Sequence, residues 1–97
     1  MATFTVRVEL LDKPDPEAFA RLHAAMEREG FERTVVEDNT RTTFRLPPGE
    51  YNFVAEMTNR KVLQRACRAA SESGRRFSVL VTESVGRTWF NLGEARS

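Results

Sequence analysis

The most constraining feature of the 97-residue chain is an unbroken alternation at its start. Phe4, Val6, Val8 and Leu10 alternate with Thr3, Thr5, Arg7 and Glu9, a period of two that only a half-buried β-strand satisfies. A strand with one apolar face needs a layer to bury it, so the rest of the chain is read for elements that can cover that face. Asp12-Lys13-Pro14-Asp15-Pro16 ends the strand. Asp15 is placed to cap a helix, Pro16 suits its first position and Glu17 its positive end. Phe19, Leu22 and Met26 form the stripe of this helix, with Ala18 and Ala25 beside it, and Gly30 is its stop.

A second strand is expected over 31–37, a turn at Asp38-Asn39-Thr40, and a third strand over 42–46. Pro47-Pro48-Gly49 interrupts the third strand, and alternation resumes at Tyr51, Phe53 and Ala55, which predicts a bent or bulged continuation. Thr58 caps a second helix that buries Val62, Ala66, Ala69 and Ala70 and ends at Gly74. A last core strand covers 77–82, followed by the apolar stretch from Val85 to Leu92 and a polar tail. The order strand, helix, strand, strand, helix, strand predicts one α+β domain over 1–97. It is a ferredoxin-like βαββαβ plait, a four-stranded antiparallel sheet with two helices on one face and an extra C-terminal apolar segment. That segment is expected either to pair along an edge strand or to cover a second copy, so a homodimer is among the expectations.

Composition narrows the function classes. A net charge of +1 gives no global attraction to nucleic acid or membrane, and one cysteine permits no internal disulfide. The N-terminus has no apolar core of a signal peptide, and no apolar run approaches the roughly 20 residues of a membrane span, so cytoplasmic placement without membrane insertion is expected. His23 and Cys67 have no paired ligand spacing; they read as a helix-flanking histidine and a small core thiol. The polar sheet face offers no exposed aromatics, which removes base stacking in the manner of RNA-recognition domains.

Charge is nevertheless uneven. Residues 58–76 hold Arg60, Lys61, Arg65, Arg68, Arg75 and Arg76 against Glu72 alone. Several of these recur at helical spacing and form a stripe attractive to phosphate oxygens. Carboxylates follow the strands at Asp12, Asp38 and Glu83, positions from which one or two could hold Mg²⁺.

Four stretches together resemble the GhoS-like family of small proteins. They are the strand from Phe4 to Leu10, the run Leu22-His23-Ala24-Ala25-Met26 with Gly30-Phe31 after it, Leu46-Pro47-Pro48-Gly49-Glu50-Tyr51, and the segment from Val79 to Trp89. The resemblance implies a ferredoxin-like fold and the activity of the family's namesake, an endoribonuclease antitoxin that cleaves the messenger of its toxin partner. The expected function is therefore cleavage of single-stranded RNA. Arg7, Arg45, Arg65 and Arg68 would hold phosphates, and Asp12 or Glu9 would bind a metal or act as a general base on a 2′-hydroxyl. The alternative is a non-catalytic homodimeric binding or regulatory module.

Overall fold

The computed structural model describes residues 1–95; the end of the expected polar tail lies outside the described residues. The elements are β1 (Ala2–Leu10), α1 (Pro16–Arg28), β2 (Thr34–Val36), β3 (Thr43–Arg45), β4 (Glu50–Ala55), α2 (Asn59–Ser71) and β5 (Phe77–Ser84). The chain is α+β with antiparallel pairing throughout, but its strands do not form the expected single four-stranded sheet. Three of them make a sheet in the order β4-β1-β5, and β2 with β3 makes a separate two-stranded ribbon.

The physical reason lies at Pro47-Pro48-Gly49. Two consecutive residues without an N–H cannot sustain a ladder, so the expected long third strand divides into β3 and β4. Gly49 makes the turn possible. Its φ is +85, and a Cβ there would stand 2.8 Å from the Val8 carbonyl oxygen. The second strand shortens correspondingly: Phe31 goes into the core, Glu32 forms an isolated bridge with Asn52 of β4, and only Thr34–Val36 belongs to the ribbon.

Both helices cover one face of the sheet. Phe4, Val6, Val8 and Leu10 of β1 form one buried cluster with Ala18, Leu22, Ala25 and Met26 of α1 and Val62, Ala66, Ala69 and Ala70 of α2. The small alanines of α2 bring that helix close, and the larger volume comes from Phe31, Tyr51 and Phe53, with Phe31 stacked on Phe53 at 4.3 Å between ring centres. Capping follows the sequence. Asp15 accepts from the Ala18 N–H at 2.8 Å and Thr58 from the Lys61 N–H at 3.2 Å, while Gly30 leaves α1 at φ +92. Arg21 donates twice to the Ser73 carbonyl, at 3.1 and 2.8 Å, and fastens α1 to the end of α2. Phe19 departs from its expected burial. It is 41% exposed and stacks against His23, because the stripe of α1 that meets the sheet is narrower than the sequence pattern.

The segment after β5 folds back within its own chain. Arg45 donates its N–H to Gly93 at 2.8 Å, Ala95 donates to Thr43 at 2.9 Å, and Trp89 packs on Phe44 at 5.7 Å. Of the two expectations for this segment, strand pairing is therefore the one realised, along β3. No helix among the described residues is long and apolar enough to cross a membrane.

Candidate nucleic-acid interface

The basic stripe is a property of α2. Its buried residues at 62, 66, 69 and 70 fix one side of the helix to the core, which turns Lys61, Arg65 and Arg68 outward along another. With Met57 and Gln64 they line a shallow hollow of about 210 Å³. Arg65 is held at its base: its guanidinium lies over the Phe53 ring at 5.8 Å and its Nε is 3.9 Å from Glu29. Lys61 and Arg68 flank it, and among the described residues neither has an ion-pair partner.

The other expected site residues lie elsewhere. Arg7 and Glu9 sit on the face of β1 opposite the core, both exposed, in register with Leu80 and Ser78 of β5. Arg7 is also level with Glu50 of β4. Arg45 is exposed on β3, in the ribbon, and does not neighbour β1 as a four-stranded sheet would have required. The sheet thus separates Arg7 and Glu9 from Arg65 and Arg68, and no single site contains all four.

Asp12 follows β1 as expected, in a turn where it and Lys13 both have positive φ, +61 and +53. Both of its carboxylate oxygens accept from Arg76, at 2.6 and 2.8 Å, in a two-pronged ion pair. Arg75 donates to the Lys13 carbonyl at 2.9 Å from the same side. The Arg76 guanidinium holds the Asp12 carboxyl below its ordinary range, the more distant charge of Arg75 adding to the effect. A carboxylate so paired is a poor proton acceptor. Nor do Asp38 and Glu83 join it: among the described residues no three His, Cys, Asp or Glu side chains converge on a point. The three strand-end carboxylates therefore do not share one site.

Two polar features escaped the sequence reading. His23 Nδ1 is 2.7 Å from the hydroxyl of the fully buried Tyr51. Burial first, and the charge of Arg33 second, hold the imidazole below its ordinary pKa; the phenol is pushed up to about 12, also by burial. The neutral ring and the protonated phenol thus share one hydrogen bond, its direction set by the imidazole tautomer. Arg87 is the second feature. It crosses the open sheet face and donates to Asn52 Oδ1 at 2.9 Å and to Thr5 Oγ1 at 3.3 Å, with burial lowering its pKa. Beside it a cleft of about 480 Å³ opens between the sheet and the ribbon, lined by Thr3, Asp38, Ser84 and Trp89 among others. The sequence held a faint signal for it, a single cation within an otherwise apolar stretch.

No family model, no curated protein and no solved structure matches this chain.

Proposed function

We propose that this protein binds single-stranded RNA along the basic face of α2, as a small ferredoxin-like domain of the GhoS-like, antitoxin kind. The observation that carries the reading is the hollow between Lys61, Arg65 and Arg68, in which two of three cations have no ion-pair partner among the described residues. From Lys61 to Arg68 the helix advances about 10 Å, a span suited to successive phosphates of an extended strand. Arginine supplies paired donors to phosphate oxygens, and the apolar stem of Met57 gives a base something to lie against. The finer fold supports the same reading. With the Glu32–Asn52 bridge counted as a strand pairing, and β3 and β4 as one strand broken at the prolines, the strands take a plait's order.

The test is titration of a labelled, unstructured RNA with the purified chain at two salt concentrations. Arg65→Glu with Arg68→Glu is expected to weaken binding at least about tenfold and to flatten the salt dependence. Binding that survives the double reversal unchanged overturns the interface.

Strand cleavage is a second reading, favoured by the exposed pair Arg7 and Glu9 on the open face. There Glu9 would take the proton of a 2′-hydroxyl as its oxygen attacks the phosphorus of the phosphate held by Arg7; the P–O5′ bond breaks and the 5′-oxygen takes a proton from water, so RNA would lie across the sheet instead of α2. On this reading Glu9→Gln abolishes cutting of a labelled RNA pool, and Asp12→Ala leaves it intact because Asp12 is engaged by Arg76. Discrete cuts that vanish with Asp12→Ala and persist with Glu9→Gln would exclude it.

A further inference from the structure

The sheet ends in β5, and that edge is open. The ladder with β1 fixes the direction of its backbone groups. Leu11 donates its N–H to the Arg76 carbonyl at 2.8 Å, so the even-numbered residues that follow turn their N–H and C=O groups toward β1. Phe77, Val79, Val81 and Glu83 turn theirs outward, where no described element pairs with them.

Open edges of this length are usually guarded by proline, lysine, a bulge or a short strand. This one has none of those guards. It runs for 8 residues, its register with β1 is continuous, and Glu83 is its single charge. Leu80 stands 63% exposed at its middle. Alongside, Leu63 and Arg60 of α2 with Val79 and Val81 line a mostly apolar groove of about 440 Å³.

We propose that this protein is a homodimer in which β5 pairs antiparallel with β5 of a second copy, about a two-fold axis at Leu80. The strand's own outward residues choose the register. Their first and last members are 77 and 83, so only an axis at position 80 pairs all four within β5. Val79 then lies opposite the partner's Val81, and Phe77 opposite the partner's Glu83, with two hydrogen bonds in each pair. The midpoint is also the most exposed large apolar residue of the strand. Leu80 meets the partner's Leu80 in a non-hydrogen-bonded pair, the type in which Cα atoms approach to about 4.5 Å. An axis moved to Val81 would set Phe77 against the partner's Val85, beyond the strand, and Leu80 against the partner's Thr82. The two α2 helices flank the seam, and Leu63 reaches it from both sides.

This inference stands apart from RNA binding, and its test measures assembly alone. Sedimentation of the full chain up to about 100 µM is expected to show a monomer–dimer equilibrium in the micromolar range. Leu80→Lys, at an exposed position, is expected to weaken it at least tenfold while the circular dichroism spectrum stays native. In a Cys67→Ser background, Leu80→Cys is expected to cross-link to itself on mild oxidation. Thr82→Cys is not, because it would face the partner's Ser78. A chain that stays monomeric throughout, a dimer indifferent to Leu80→Lys, or equal cross-linking at 80 and 82 overturns the proposal.

Discussion

The two faces of the three-stranded sheet are built from alternate residues of the same strands, yet they are held by different physics. On the helix side Phe4, Val6 and Tyr51 are fully buried, and stability comes from close packing of apolar volume. On the open side Thr5, Asn52 and Arg87 meet through hydrogen bonds, and the ribbon with the C-terminal segment stands over a cleft, not a packed layer. The packed face tolerates little loss of volume; the polar face is the one with room for change.

Substitutions can break or sharpen that contrast. The largest effect is expected from Phe4→Ala, which empties the centre of the packed face and should cost about 3–5 kcal/mol in urea unfolding. A cost under 1 kcal/mol would show that the core relaxes around the gap and that the contrast is overstated. Gly49→Ala strikes where ribbon and sheet separate. The positive φ and the 2.8 Å approach to the Val8 carbonyl predict a loss of about 2 kcal/mol, read from the same unfolding curves. Arg87→Ala removes the open face's main fastening and should cost about 1 kcal/mol, with a red shift in Trp89 fluorescence as the C-terminal segment loosens. An unchanged spectrum would mean that pairing along β3 holds Trp89 by itself.

The smallest expected effect is a pH dependence from the one histidine. The folded-state pKa of His23 lies below its ordinary value of 6.5, so the folded chain binds fewer protons than the unfolded one in that window. The associated stability is complete above pH 6.5 and is lost as pH falls through the folded-state value. The urea midpoint should therefore drop between pH 7 and pH 5, and His23→Gln should flatten that slope.

How far each feature was legible in the sequence follows the range of the forces that set it. β1 was readable because alternation is local, and both helices because Asp15, Pro16, Thr58, Gly30 and Gly74 mark their ends within a few residues. The division of the sheet was only half legible. Pro47-Pro48-Gly49 announced an interruption, but whether the chain resumes in the same ladder depends on Val8, about 40 residues earlier, which pairs with Gly49. The candidate site was less legible still. Lys61, Arg65 and Arg68 share one helix and stay together, whereas Arg75 lies beyond α2 and turns to the Lys13 carbonyl. Asp12 looked available because its captor, Arg76, is 64 residues distant in the chain. The Tyr51–His23 contact and the path of Arg87 are long-range for the same reason.

The turn at Asp12 and Lys13 ties the first strand of the sheet to the last. Two successive non-glycine residues in the left-handed region cost about 1–2 kcal/mol each, and no local bond compensates them. Their support comes from Arg75 and Arg76, which arrive only when β5 docks. The exit of the first strand is thus held by contacts from the start of the last. That makes the two ends of the domain a single cooperative unit: unzipping β5 releases the turn, and a chain cut before Arg75 would lack the means to close it.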